Sequence, residues 1–247
     1  MNTQHPSSDI NMDTEGIRQT EPSGKYAYFT GEQNHENYEY IRTEGGNGLS
    51  ALNGEGTIAT WIFRENDEIH DWRNVYDIPN SHLLEFVDDG GFDWRAENNS
   101  SDFYNINGPN IGNGEWQHIT LRMKGDGNLD QQIYTPEIFI DGVLQQEEFT
   151  SWQIGNQNNQ NGLFTTEDPL YLGILWSQAS SDENTAQPGN PDPWKGGIDD
   201  FKIWSTALSD KEIYDNYLGL GSINNEKLLL HYDFENTSNL ALIVALG

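Results

Sequence analysis

The residues best suited to bind a ligand lie in one polar segment, where Trp176 and Trp194 enclose Asn190 and Asp192. A tryptophan in a loop can offer a flat apolar face to a sugar ring, while nearby amides and carboxylates bind the sugar hydroxyls. Trp94, beside another polar stretch, has the same character. We therefore predict a carbohydrate or calcium site around this segment. The alternative for each tryptophan is a packing role, in which the ring pins its loop to the fold.

Asp199 is the carboxylate whose position is most unusual. Alternation along the strand that it begins places it on the same face as Phe201 and Ile203, which are expected to point into the core. A buried carboxylate without a partner is costly, so Asp199 requires a cation or several N–H donors. The residues alone leave both possibilities open.

Patterns that would indicate catalysis are weak. Retaining glycoside hydrolysis needs two carboxyls ~5 Å apart, and the nearest run, Glu65-Asn-Asp67, lacks a closing glutamate and follows a predicted strand. Residues 126–137 imitate a calcium-binding EF-hand loop, but Gln131 stands where glycine is required, which favours an acidic hairpin turn. His118 is expected to face solvent or a neighbouring loop, without a catalytic role. No enzyme is indicated.

The elements that position these residues are mostly β-strands. Period-two alternation runs through residues 57–63, 118–123 and 137–141, and the last of these ends in the hairpin signal Asp-Gly. One helix is predicted, because Ser209 and Glu212 form a capping box. The 25 glycines and 12% aromatic residues also favour short strands joined by turns. We predict an all-β fold with one short helix near the C-terminus.

Charge and composition exclude several classes of partner. The 247 residues include 40 acidic and 12 basic ones, for a formal net charge of −28. Such a surface repels phosphate backbones, so we expect no nucleic acid partner, while sugars and divalent cations remain open. There is no cysteine. The longest late apolar stretch, residues 240–246, is too short to span a bilayer, and no signal peptide is visible. We expect no membrane insertion, and interpret the chain as a fragment whose export signal lies elsewhere.

Three segments in order resemble a known family. They read Gly114-Glu-Trp-Gln-His118, then Ile138-Phe-Ile-Asp-Gly142, then the longer run Gly196-Gly-Ile-Asp-Asp-Phe-Lys-Ile-Trp204. Over residues 25–220 the chain resembles the laminin-G-like domains of the concanavalin A-like lectin/glucanase superfamily. The resemblance implies a two-sheet antiparallel jelly-roll β-sandwich. It also implies that Asp199 helps to bind a structural Ca²⁺, together with backbone carbonyls of the N-terminal part.

The resemblance divides the chain into three parts. Residues 1–24 are expected to be a flexible polar leader, and residues 25–222 the β-sandwich. Residues 223–247 contain an alternating run, Leu228 to Phe234, that resembles the family's first strand. This run either opens a truncated second repeat or fills the vacant first-strand position of the same sheet.

The function implied by the resemblance is a non-catalytic carbohydrate-binding or adhesion module. Its expected setting is a secreted or surface-attached multidomain bacterial protein, with a glycan or another cell-surface ligand as partner. The main alternative is a structural spacer domain that binds no ligand. A diverged glycoside hydrolase is a third, more distant reading.

Overall fold

The structure is a computed structural model of the whole chain. It describes residues 10–13, 16–19, 21–22, 24–31, 39–43, 49–52, 54–65, 72–79, 81–86, 91–97, 103–125, 134–145, 168–175, 192–220, 225–235 and 242–244.

The first of two large sheets has seven antiparallel strands. Its order is β12 (Val143–Leu144), β11 (Tyr134–Ile140), β10 (Trp116–Gly125), β5 (Gly56–Arg64), β14 (Lys195–Trp204) and β15 (Leu228–Tyr232). The short strand β3 (Ala27–Thr30) also pairs with β14, on its N-terminal half.

The second sheet also has seven antiparallel strands. Its order is β16 (Leu242–Val244), β4 (Glu39–Arg42), β13 (Tyr171–Leu172), β6 (Arg73–Ile78), β7 (His82–Phe86), β8 (Phe92–Glu97) and β9 (Phe103–Asn107). A separate ribbon pairs β1 (Ile10–Asp13) with β2 (Gly16–Gln19). The structure thus places paired strands in the segment that was expected to be a flexible leader.

The main core lies between the two sheets and follows the predicted alternation. In β10, Ile119, Leu121 and Met123 enter this core, while the residues between them face outward. Leu84 and Phe86 of β7 enter it from the second sheet. The predicted all-β sandwich with one short C-terminal helix is confirmed.

The helix α1 (Asp210–Tyr217) lies over the outer face of the first sheet. Its predicted capping box is present, since the Ser209 hydroxyl accepts from the Glu212 N–H and the Glu212 carboxylate accepts from the Ser209 N–H at 2.7 Å. Leu208 and Ile213 pack with Ala59 and Trp204 into a second, smaller core beneath the helix. In the described part of the chain, the helices are all too short or too polar to cross a membrane.

The predicted strand near the C-terminus is confirmed over Leu228–Tyr232. It pairs antiparallel with β14, and Phe234, which follows it, is 3% exposed and belongs to the main core. Glu235 then reaches the start of the sandwich, where its Oε1 accepts from the Lys25 N–H at 2.8 Å. The segment therefore lies in the sheet beside β14.

Candidate functional site

A bulge in β14 determines where Asp199 points. Asp199 pairs with Trp61, whereas Lys202 pairs with Ala59, so one residue more is present on β14 than on β5 between these pairs. Asp200 accommodates the bulge with a left-handed φ of 49°. Asp199 therefore shares the outer face of the sheet with Trp61. The prediction that it shares the inner face with Phe201 is wrong, because the bulge interrupts the alternation.

Asp199 lines a pocket of about 270 Å³ on this outer face, here called the acidic pocket. The side chains that line it are mostly polar and include four carboxylates: Asp199, Asp200, Asp233 and Glu235, with Trp61, Lys202 and Asn216. Asp199 is 2% exposed, and its Oδ1 accepts from the Asp200 N–H at 2.7 Å. Burial raises the pKa of Asp199 to about 8, and the neighbouring charges of Asp200 and Glu235 add to the rise.

Asp200 has its charge neutralised by contacts with two other side chains. Its Oδ1 lies 2.7 Å from His231 Nε2, and its Oδ2 accepts from Lys202 Nζ at 2.5 Å. Burial acts to raise the pKa of Asp200, but these hydrogen bonds and the Lys202 charge outweigh it and hold the pKa near 2. Of the carboxylates that line the acidic pocket, Asp199 is thus the one whose negative charge is least compensated by neighbouring groups.

The acidic pocket has the donor chemistry that Ca²⁺ requires, since Ca²⁺ takes carboxylate and carbonyl oxygens. The carboxylates are not assembled around a common point, however. Asp233 Oδ1 accepts from the Glu235 N–H at 3.1 Å, and Glu235 Oε1 is bound to Lys25. Among the described residues, no three acidic or histidine side chains are placed to hold one metal ion. A calcium ion here would therefore take Asp199 together with backbone carbonyls.

His118 lies beside this pocket and is fully buried, so the prediction that it faces solvent or a loop is wrong. Alternation did place it on the outer face, but α1 covers it there. Asn216 Nδ2 lies 3.0 Å from His118 Nε2, and the ring packs against Trp61 and Tyr217 at 5.2 and 5.9 Å. Burial lowers the pKa of His118 to about 3, so it is neutral near pH 7.

The outer face of the second sheet carries a different group of polar side chains. Asn74, Glu85 and Asp93 lie opposite one another on β6, β7 and β8, in one row across the sheet. The Asn74 N–H donates to the Asp192 carbonyl at 2.8 Å, which brings Asp192 to the end of the row. These four residues, with Arg95 of β8 and Trp72 just before β6, are here called the polar face.

Arg95 offsets part of the negative charge of the polar face. Its Nη2 forms an ion pair with Glu85 and lies 3.3 Å from Asp93 Oδ2, and its guanidinium lies 4.8 Å from the centre of the Trp72 ring. Burial nevertheless raises the pKa of Glu85 to about 7, against the lowering effect of Arg95 and with the support of Asp93 and Asp192. A perturbed carboxylate in such a group is typical of functional sites.

Asn74 is the least satisfied member of the polar face. Its side chain is 0% exposed, and neither the amide oxygen nor the amide nitrogen has a hydrogen-bond partner among the described residues. Leaving such buried groups unpaired costs roughly 1–3 kcal/mol each.

The residues predicted to bind sugar do not lie together in the structure. Asp192 joins the polar face, whereas Trp176 and Asn190 lie outside the described residues. Trp194 is fully buried and packs on Phe86 at 5.3 Å, and Trp94 is equally buried in the main core. Neither of these two rings has a face open to a sugar, which is the packing role that the sequence left as the alternative. Among the tryptophans that the structure describes, the exposed one is Trp72, at 39%.

Sequence reasoning missed most of the polar face. A signal was present, because Glu85 interrupts an apolar strand between Leu84 and Phe86, and Asp93 and Arg95 alternate with core residues of β8. These polar residues alternate with apolar ones in the chain, and only the strand register brings them beside Asn74. Most of the segment that imitates an EF-hand loop, residues 126–133, lies outside the described part of the chain. Its last residue, Glu137, lies in β11 and pairs with Arg122 at 2.5 Å.

Comparison with known proteins identifies the family. The family model of laminin-G-like domains in the concanavalin A-like lectin/glucanases superfamily matches residues 35–214. The match covers well over half of the chain, and the two-sheet sandwich is the fold expected of it. The chain belongs to this family.

Solved structures with the same fold are distant in sequence. A heptameric SAP-like pentraxin from Limulus polyphemus is 14% identical, with a TM-score of 0.51 over 89% of this chain and 94% of that one. A protein from Bacteroides ovatus, named as a candidate carbohydrate binding protein, is 16% identical, with a TM-score of 0.52 over 87% of this chain. The alignment covers 54% of that protein, about half its length. Among curated proteins, none matches the chain in sequence.

Proposed function

We propose that the chain is a non-catalytic carbohydrate-binding module and that its sugar site is the polar face. The observation that carries the proposal is the Trp72 ring, which is 39% exposed and lies against Arg95 beside the carboxylates Glu85 and Asp93. We further place the module in a secreted or surface-attached multidomain bacterial protein, where it would attach that protein to a glycan or cell surface.

The polar face contains the groups that sugar recognition uses. Carboxylates such as Asp93 and Asp192 accept hydrogen bonds from hydroxyls. Trp72 supplies an exposed aromatic ring at the margin, held by Arg95. A few polar groups beside an aromatic surface is the composition of small-ligand sites. The name of the Bacteroides ovatus protein points the same way, as an analogy at the level of the fold.

A glycan array with the purified chain tests this proposal. Trp72→Ala should weaken binding at least tenfold, or ~1.4 kcal/mol, while its melting temperature stays close to that of the wild type. Tyr214→Ala is the matched control, because Tyr214 is an equally exposed aromatic residue on α1, at 40%. An array without any bound glycan would favour the spacer domain. Equal losses in the two variants would remove the site from the polar face.

We also propose that a structural Ca²⁺ binds at Asp199 in the acidic pocket. The support is the burial of this carboxylate with one backbone donor, in a pocket lined by further oxygen donors. Burial raises the pKa of Asp199 to about 8, so near neutral pH an ion there would replace the proton and compensate the ionised carboxylate. Running the same array with and without EDTA separates a calcium-dependent binder from one in which the ion has no part in binding.

A further inference from the structure

The acidic pocket contains a carboxylate oxygen that is open to a ligand. Among the described residues, the Asp199 carboxylate accepts one hydrogen bond, from the Asp200 N–H to Oδ1 at 2.7 Å, and its Oδ2 accepts none. Asp199 is 2% exposed and lines a volume of about 270 Å³. A buried carboxylate oxygen without a donor opposes folding, so a donor supplied by a ligand would stabilise it.

Two basic side chains contact Asp200 rather than Asp199. Lys202 Nζ lies 2.5 Å from Asp200 Oδ2 and 3.0 Å from Asn216 Oδ1, and His231 Nε2 lies 2.7 Å from Asp200 Oδ1. Lys202 also shows how this pocket holds an ammonium group, which lies between a carboxylate and an amide oxygen. In the described part of the chain, neither basic group donates to Asp199. A positively charged donor for Asp199 would therefore come from a ligand.

The rim of the acidic pocket has further open acceptors. Asp233 and Glu235 are exposed, and each has one carboxylate oxygen in a hydrogen bond with another described residue. Asp233 Oδ1 accepts from the Glu235 N–H at 3.1 Å, and Glu235 Oε1 accepts from the Lys25 N–H at 2.8 Å. Their second oxygens can accept from hydroxyl groups. The pocket therefore suits a ligand that has one cationic donor and several neutral ones.

The size and lining of the pocket favour an organic ammonium group. An apolar cavity of ~150 Å³ can hold benzene, so about 270 Å³ is enough for a six-membered ring with its substituents. A guanidinium binds a carboxylate through both oxygens, but Asp199 Oδ1 is already engaged, whereas each N–H of an ammonium group needs a single acceptor. Trp61 adds an aromatic side chain to the lining, which favours a cation. Ca²⁺ would use the same oxygen, so the two are alternative occupants of Asp199.

We infer that the acidic pocket binds a sugar that carries a primary ammonium group, and that this group donates to Asp199 Oδ2. The hydroxyls of the same sugar donate to Asp233 and Glu235 at the rim, and Trp61 lies beside the sugar in the lining. The site lies on the first sheet and is separate from the polar face. The inference rests on the proposed carbohydrate-binding function for the class of ligand, and adds a second site to it.

Calorimetric titration with three sugars that differ only at C2 tests this inference: D-glucosamine, D-glucose and N-acetyl-D-glucosamine. EDTA is present throughout, so that calcium does not occupy Asp199. The full chain should bind D-glucosamine at least ~tenfold more tightly than the other two, because they lack the charged donor. Equal affinity for D-glucose overturns the inference, while a neutral glycan bound on the array leaves the proposed function standing. n-Butylamine should bind at least ~tenfold more weakly than D-glucosamine, and equal affinity would overturn the assignment of a sugar.

Asp199→Asn tests the position of the ammonium group. The variant keeps the size of the side chain and removes its charge, so D-glucosamine affinity should fall at least ~tenfold. Asp215→Asn is the matched control, because Asp215 lies on α1, pairs with Lys211 and does not line the pocket, and its affinity should equal that of the wild type. Full affinity in Asp199→Asn would overturn the inference. Asp233→Asn, at the exposed rim, replaces Asp199→Asn if the latter fails to fold, and full affinity there would overturn it in the same way.

Discussion

Phe234 provides a direct test of how the sandwich is completed. The residue follows β15, is 3% exposed and lies in the main core, although the sequence left its segment open between this domain and a second repeat. Truncation of a buried phenylalanine to alanine removes its burial and leaves a cavity, at a cost of ~3–5 kcal/mol. Phe234→Ala should therefore lower the free energy of unfolding by that amount.

In a domain of this size, 1 kcal/mol corresponds to roughly 2–4 °C in melting temperature, so the expected decrease is ~6–20 °C. Urea unfolding followed by tryptophan fluorescence gives the free energy, and calorimetry gives the melting temperature. Val143→Ala, at a residue 59% exposed, is the control and should stay within ~0.5 kcal/mol of the wild type. A Phe234→Ala protein that unfolds at the wild-type midpoint would refute the packing of this segment. Deletion of residues 225–247 should then leave the melting temperature unchanged as well.

Three further predictions concern Asp199 in the acidic pocket, Trp194 in the main core and His118 beneath α1. Calcium at a hundredfold excess over Kd should stabilise the wild type by ~2.7 kcal/mol, and Asp199→Asn should abolish that shift in thermal melting. Trp194→Ala should lower the free energy of unfolding in urea by ~3–5 kcal/mol, because the Trp194 ring is fully buried. A variant that melts at the wild-type temperature would make Trp194 a sugar-binding candidate again. Burial lowers the pKa of His118 from 6.5 to about 3, so below pH 6.5 the unfolded chain takes up a proton that the folded chain does not, and stability is lost as the pH falls. Between pH 7 and pH 5, His118→Gln should lose ~2 kcal/mol less than the wild type in urea unfolding, and a parallel loss would contradict the burial of a neutral imidazole.

The parts of the fold that could be predicted are those set by local pattern. Ile119, Leu121 and Met123 alternate because one face of β10 is buried, and the structure confirms that face. The helix start could be located because Ser209 and Glu212 satisfy each other's backbone groups within a single turn. Neither feature depends on residues distant in the chain.

The errors arise where a single residue changes the geometry. At Asp199 the bulge shifts the alternation by one position, and a shift of one reverses the face of every preceding side chain. Nothing in the pair Asp199-Asp200 shows that Asp200 adopts a left-handed φ. For His118 the predicted strand was right, but its burial depends on α1, which comes about 90 residues later. Tertiary contacts of this kind leave no mark in the strand itself.

The candidate site could be predicted only at Asp192, because its other members are joined by strand register. Asn74, Glu85 and Asp93 are separated along the chain, and pairing of β6, β7 and β8 places them in one row. The polar sequence around Trp194 suggested an open ring, yet the ring packs on Phe86. Composition near a tryptophan therefore says little about which way its side chain turns.

The outer faces of the two sheets differ in the polar groups that they offer to a ligand. The inner faces are used by the main core, and α1 covers the outer face of the first sheet with Leu208 and Ile213, leaving the acidic pocket beside it. The row of Asn74, Glu85 and Asp93 on the second sheet is buried but not apolar. Apolar side chains of similar size would stabilise the fold more, because a buried amide without partners and carboxylates that share one guanidinium both oppose folding. A row that opposes folding in this way is not explained by stability, and it is one of the reasons for our proposal that the sugar site lies on the second sheet.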